Sequence, residues 1–176
     1  MRRVALATAF MVILTAGVAQ AETRYVSAKE GLRIRSEPSE DAEILSVLPF
    51  ASEVDGEIKD GWMQTDEGYL KVEHLAESNP LDEYQYLGEW KLTAYFETGL
   101  QTASGVWPEV NVTVAHNSLP FGTQIYIENQ GFWVVQDRGP SSMGENWCDL
   151  YLGDYGTCVQ FGEKYAKVYL VTEEKP

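Results

Sequence analysis

The stretch FWVVQDRGPSSMGENWCDLY, Phe132 to Tyr151, decides how the rest of the chain is read. Phe132 to Gln136 is the aromatic and β-branched run of a buried strand, and it stops on a charge at Asp137. Arg138, Gly139 and Pro140 then turn the chain into a polar loop. The loop delivers a second carboxylate, Asp149, flanked by Cys148 and Leu150. Hydrophobic strand ends that present carboxylates across a glycine-containing loop can hold an acid in a groove. The remaining sequence is then expected to be the fold that holds these two aspartates, with a separate module in front.

Strand signals continue on both sides of this stretch. Upstream, Asn129-Gln130-Gly131 is a hairpin-type turn that joins Gln124-Ile125-Tyr126-Ile127 to the deciding strand. His116 to Thr123 is a tight turn, Val110 to Ala115 alternates, and Glu89 to Phe96 has a strand pattern. Downstream, Cys158 to Tyr165 is expected to form one or two helical turns with Phe161 and Tyr165 on one face, and Ala166 to Val171 closes as a strand. Five or six strands with long crossings and little helix predict a closed or nearly closed barrel, which removes exposed strand edges.

The region before it is built from shorter pieces. Strand-like runs at residues 25–34, 42–48, 61–65 and 68–72 are punctuated by Pro38, Pro49, Gly56 and Gly61. Such short strands bury a core only as a small curled barrel or sandwich. Glu73 to Tyr86 carries Pro80, acidic residues and no period, so it reads as an exposed linker. The expected organisation is an export signal at 1–21, a small barrel at 22–76, a linker at 77–88 and the larger barrel at 89–172.

The chain opens MRRVALATAFMVILTAGVAQAE, with two arginines, an apolar run and the small-x-small exit Ala19-Gln20-Ala21. That is the order of a cleaved secretory signal, and it predicts export to the periplasm, the cell wall or the medium. Its removal takes the formal net charge from -14 to -16. An acidic surface of this kind repels nucleic acid and anionic membrane but does not exclude a neutral or mixed-charge glycan. No later stretch is apolar and long enough to span a bilayer. In an oxidising compartment Cys148 and Cys158 are permitted to pair, which would stabilise the short loop by roughly 2–3 kcal/mol in the chain-entropy account. Two free buried thiols are the alternative.

Candidate site residues follow from position and type. His116 is one of two histidines; it either bonds a sugar hydroxyl, supports Asp149 or fills its turn. Asn117 stands beside it, and Arg138 either pairs with Asp137 or meets a ligand. Trp107 and Trp147 are read as loop residues able to stack on sugars, and Tyr151 as a neighbour that holds Asp149 on its strand. Asp137 is expected to accept N–H bonds from the Gly139 loop or to hold Asp149 protonated by proximity. With no second histidine or cysteine at ligand spacing, no metal is expected, and the glycine-rich loops lack a P-loop lysine, so no cofactor is expected either.

Two resemblances add to this reading. Gly31-Leu32-Arg33-Ile34-Arg35-Ser36, then Gly61-Trp62, then Gly68-Tyr69-Leu70, resemble the bacterial SH3-like (SH3b) module, with tyrosine where the family has its closing tryptophan. Such modules often bind cell-wall peptides, which implies wall targeting; packing of Trp62 and Tyr69 in a small core is the plainer account. From Lys91 to Val171, Pro120-Phe121-Gly122-Thr123, then Gly131-Phe132 to Asp137, then Asp149-Leu150-Tyr151, then Phe161-Gly162 and the closing valines, resemble the 3D domain. That is the double-psi β-barrel of MltA-type lytic transglycosylases and secreted wall proteins. Of the three aspartates that name the domain, the second matches Asp137 and the third Asp149. His116 and Asn117 stand where the first would be, as in relatives of the rare lipoprotein A type.

The implied fold is all-β: an SH3-like barrel followed by a six-stranded double-psi barrel with little helix. The implied activity is lytic transglycosylation of peptidoglycan. One carboxyl group, Asp149, protonates the leaving oxygen and then accepts a proton from the muramyl C6 hydroxyl, giving a 1,6-anhydro product. The partners implied are glycan strands with or without stem peptides. A wall protein that binds glycan without cutting it is the alternative, and a partner or inhibitor of another wall enzyme is a third.

Overall fold

A computed structural model describes residues 21–172, so all of the expected export signal except Ala21 lies outside the described residues. Among these residues thirteen strands and one α-helix make the chain mostly β. The first seven strands are β1 (Glu22–Val26), β2 (Leu32–Arg35), β3 (Ile44–Leu48), β4 (Glu53–Lys59), β5 (Trp62–Thr65), β6 (Gly68–Lys71) and β7 (Leu75–Ala76). They form one antiparallel sheet in the order β3-β2-β6-β5-β4-β1-β7. Alternation sends one side chain in two inward, and Val26, Leu32, Ile34, Met63 and Leu70 meet in a shared core. The β4–β5 turn needs left-handed backbone at two successive residues, Asp60 (φ 52°) and Gly61 (φ 82°). The Gly68 position is also constrained, since a Cβ there would meet the Arg35 carbonyl oxygen at 2.5 Å.

The remaining strands are β8 (Gln85–Phe96), β9 (Thr113–Ala115), β10 (Gln124–Ile127), β11 (Gly131–Asp137), β12 (Trp147–Gly153) and β13 (Lys164–Leu170), with the helix α1 (Tyr155–Phe161) between the last two. They close into a six-stranded barrel in the order β10-β11-β9-β12-β8-β13, completed by β10 against β13. Two pairs are parallel, β11 with β9 and β12 with β8; the others are antiparallel. The interior holds Trp90, Leu92, Val114, Ile125, Ile127, Trp133, Val135, Cys148, Leu150 and Val168.

Three boundaries differ from the sequence expectation. The helix starts earlier, at Tyr155, because Asp154 caps it by accepting from the Thr157 N–H at 2.9 Å; Gly162 (φ 65°) ends it. Tyr165 therefore lies on β13 and shares no helical face with Phe161. Only Thr113 to Ala115 of the Val110–Ala115 run is strand, since Asn111 (φ 58°) turns the chain just before it. The expected linker is shortened at its far end, because β8 begins at Gln85 to pair with Leu170 at the end of β13.

That connection is no free spacer. Phe50, on a turn of the first sheet, is 6% exposed and packs against Tyr126 and Phe132 of the barrel at ring separations of 5.2 and 5.1 Å. Tyr84, just before β8, stacks on the same ring at 6.1 Å. The Tyr126 hydroxyl donates to the Phe50 carbonyl at 3.1 Å, so the phenol is satisfied inside the apolar contact. No helix among the described residues is long and apolar enough to cross a membrane. Phe50→Ala should remove about 3–5 kcal/mol of packing. Differential scanning calorimetry is expected to show one unfolding transition for the parent chain and two for the variant.

Candidate active site

The two aspartates meet on the outer surface of the barrel wall. On β12, Cys148 and Leu150 point into the core, so alternation turns Asp149 and Tyr151 outward. On β11, Trp133 and Val135 point inward, and an unbroken strand would send Asp137 inward as well. A register shift between Val135 and Asp137 prevents this: Val135 pairs with Val114, and Asp137 pairs with the next residue, Ala115. The extra residue, Gln136, puts Asp137 on the face of Ala115, whose other cross-strand partner is Asp149. On the far side of Asp149 stands Thr93 of β8. The row Thr93–Asp149–Ala115–Asp137 thus crosses four strands.

The environments of the two carboxylates differ. Asp137 accepts the Arg138 and Ala103 backbone N–H groups on Oδ1, both at 2.8 Å, and the Tyr95 hydroxyl on Oδ2 at 3.1 Å. Asp149 receives one side-chain bond, from the Thr93 hydroxyl to Oδ1 at 2.7 Å. Burial pushes its pKa up, the Thr93 bond opposes that, and the nearby Asp137 charge adds to the rise. Trp147 Nε1 donates to the Thr93 oxygen at 2.8 Å. An indole N–H can only donate, so the Thr93 oxygen accepts there and its own proton is directed at Asp149. With Oδ1 occupied, Oδ2 is the oxygen left to carry a transferable proton.

The other expected residues sort by position. His116 is 2% exposed and stacks on Trp90 at 4.7 Å. Its Nδ1 accepts the Ser118 and Leu119 N–H groups at 3.2 and 3.0 Å, so Nε2 carries the proton and donates to the Glu145 carbonyl at 2.8 Å. Burial lowers its pKa. Of the expected alternatives the geometry matches the histidine that fills its turn, with both ring nitrogens bonded to the backbone. Asn117 is likewise engaged; its Oδ1 accepts the Gly139 N–H at 3.0 Å and its Nδ2 donates to the Pro140 carbonyl at 3.0 Å. The Gly139 N–H therefore goes to Asn117, and the N–H that this loop gives Asp137 is that of Arg138.

Among the described residues the Arg138 guanidinium forms no ion pair with the Asp137 carboxylate, although it donates to the Asp137 backbone carbonyl at 3.3 Å. It donates to the His116 carbonyl at 2.6 Å and lies 3.7 Å from the Phe121 ring centre. Trp147 opens β12 and is half-buried under Lys91, whose ammonium lies 4.6 Å from the ring centre, so its expected loop position is corrected. Trp107 does lie in a loop and is 61% exposed. Tyr151 packs against Tyr95 at 5.2 Å, beside Asp137. The expected Cys148–Cys158 disulfide is also corrected: both are free thiols. Cys148 faces the barrel core while Cys158 rides on α1 outside it, and burial raises both thiol pKa values.

Thr93 is not singled out by the sequence, and Tyr95, an aromatic on a strand, reads there as a core residue. Their spacing, two apart on a strand, was the available signal, because it places both hydroxyls on the face opposite Leu92 and Ala94. Among the described residues no group of three histidine, cysteine or acidic side chains could hold a metal ion. No model of a known protein family matches the chain, and no curated protein matches it.

A raised carboxyl pKa in the folded state contributes stability that is present below the ordinary value of 3.8 and lost as pH rises through the raised value. Asp149→Asn should therefore raise the thermal midpoint at neutral pH, with the gain shrinking as pH falls through the raised value toward 3.8 and absent below it; a gain unchanged by pH would contradict the burial assigned to this group. For the thiols, native-state alkylation followed by mass spectrometry should modify Cys158 and spare Cys148 until the chain is unfolded.

Proposed function

We propose that the chain is an exported peptidoglycan lytic transglycosylase of the 3D-domain kind, with an SH3-like module in front of a double-psi barrel. The six-stranded closure and the parallel pairs β8–β12 and β9–β11 support the double-psi reading, and the curled antiparallel sheet supports the SH3-like one.

The observation that carries the activity is the asymmetry of the two aspartates. Asp149 is the half-buried acid with a raised pKa and one oxygen without a partner among the described residues; Asp137 accepts from three donors. Internal attack by a sugar hydroxyl requires only one group to act as acid and then base, so a single protonatable carboxyl suffices. Burial first, and then the Asp137 charge, raise the Asp149 pKa, and Asp137 supplies negative charge toward the developing oxocarbenium ion. Trp107, exposed on the loop that also bonds Asp137 through Ala103, is placed to stack on a sugar.

The second reading, a wall protein that binds glycan without cutting it, is favoured by one specific finding. His116 and Asn117, which stand where the family keeps its first aspartate, are both committed to the backbone, so neither supplies a third polar group. Digestion of purified peptidoglycan, read by mass spectrometry, separates the two. The expected result is 1,6-anhydromuramyl product that falls at least a hundredfold in Asp149→Asn. Sedimentation with peptidoglycan without any new glycan ends would establish the binding reading instead.

A further inference from the structure

The N-terminal sheet carries a row of outward side chains that the strand register fixes. Val47 of β3 pairs with Arg33 of β2, and Arg35 of β2 pairs with Tyr69 of β6. Antiparallel continuation by two residues sets Arg33 beside Lys71, which itself pairs with Trp62 of β5. Leu32 and Ile34 are buried in the core, so Arg33 between them points out. The row reads Val47–Arg33–Lys71–Trp62, two cations between two apolar side chains.

These four residues line a groove of about 560 Å³, and Lys29 and Arg35 lie on its wall. Four of the ten lysines and arginines among the described residues thus converge on one groove, in a chain of formal net charge -14. Their occupancy differs. Lys71 is bound by Glu40 and, at 2.7 Å, by Glu73. Arg35 donates to the Ala42 carbonyl at 2.8 Å, and Lys29 lies 5.3 Å from the Phe132 ring centre. Arg33 has no ion pair or hydrogen bond among the described residues and is exposed. Its planar donor fork matches a carboxylate.

The rim narrows the choice of ligand. Glu30, Glu40 and Glu73 stand around the same groove and would repel a polyanion, which leaves a singly charged group. Among the described residues β3 is the outermost strand on this side of the sheet and pairs with β2 alone, so its other edge offers backbone groups beside Val47 that no described strand uses. An extended peptide can use such an edge while its side chains enter a neighbouring groove.

We propose that this groove binds a short extended peptide by its C-terminal carboxylate, with the carboxylate on Arg33 and the adjoining side chain between Val47 and Trp62. The site is separate from Asp149 and does not depend on the activity proposed there. The test titrates the full chain with N-acetyl-tetraalanine carrying a free C-terminal carboxylate, and in parallel with its C-terminal amide, following indole N–H signals by NMR. The free acid should shift the Trp62 signal, and the amide should bind at least tenfold more weakly. Arg33→Gln, an exposed change that leaves the fold intact, should weaken the acid at least tenfold, while Asp149→Asn should bind it as the parent does. Equal binding of acid and amide, retention of affinity in Arg33→Gln, or no change at Trp62 would each overturn the proposal.

Discussion

The candidate site depends on one irregularity, the register shift that inserts Gln136 between Val135 and Asp137. Strand side chains alternate, so without that residue Asp137 would follow Trp133 and Val135 into an apolar core, where an ionised carboxylate is untenable. The bulge is held in three ways. The Thr113 hydroxyl donates to the Gln136 side chain at 2.6 Å, the Ser104 N–H donates to the Gln136 carbonyl at 3.2 Å, and the Ala103 N–H donates to Asp137 itself. The loop after β8 is thereby tied to the end of β11. Position of the acid, shape of the loop and exposure of Trp107 are parts of one arrangement.

Two residues of the same type, on one face and separated by a single strand, are given different chemistry by their surroundings. Asp137 has backbone and phenol donors that replace its lost hydration, whereas Asp149 has one hydroxyl and an apolar setting. The Tyr95 phenol that serves Asp137 has its own pKa raised, first by burial and then by the Asp137 charge, so it stays a donor. Trp147 acts on Asp149 at one remove, by fixing the direction of the Thr93 hydroxyl. Loss of that indole would free the hydroxyl to rotate without touching the carboxylate.

Much of this was legible in the sequence, and the rest was hidden for definable reasons. The strand into Asp137, the hairpin at Asn129-Gln130-Gly131 and the closing strand are local patterns, and local patterns carry the barrel. The placement of Asp149 on a strand between two core residues was equally local. The fate of His116 was not, because its partners, Trp90 and the Glu145 carbonyl, are set by barrel closure and lie far away in the chain. The same holds for Trp147, which reads as loop until β12 pairs with β8. The cysteine pairing failed on position: spacing permits a short loop, but Cys148 faces the barrel core whereas Cys158 lies on α1 outside it and bonds the Leu152 backbone.

The contact between the modules gives these local arrangements a common frame. β11 begins at Gly131, next to Phe132 on the Phe50 ring, and ends at Asp137 in the carboxylate row. At ~3.3 Å per residue this seven-residue strand spans about 20 Å. The module interface and the acid are therefore at opposite ends of one rigid strand, and the Arg33 groove lies beyond the interface. Lys29, which lines that groove, also stands over Phe132 at the start of the same strand. Docking through Phe50 holds the groove and Asp149 in one frame, so a ligand able to reach both would make its second contact without the entropy cost that a loose linker would impose.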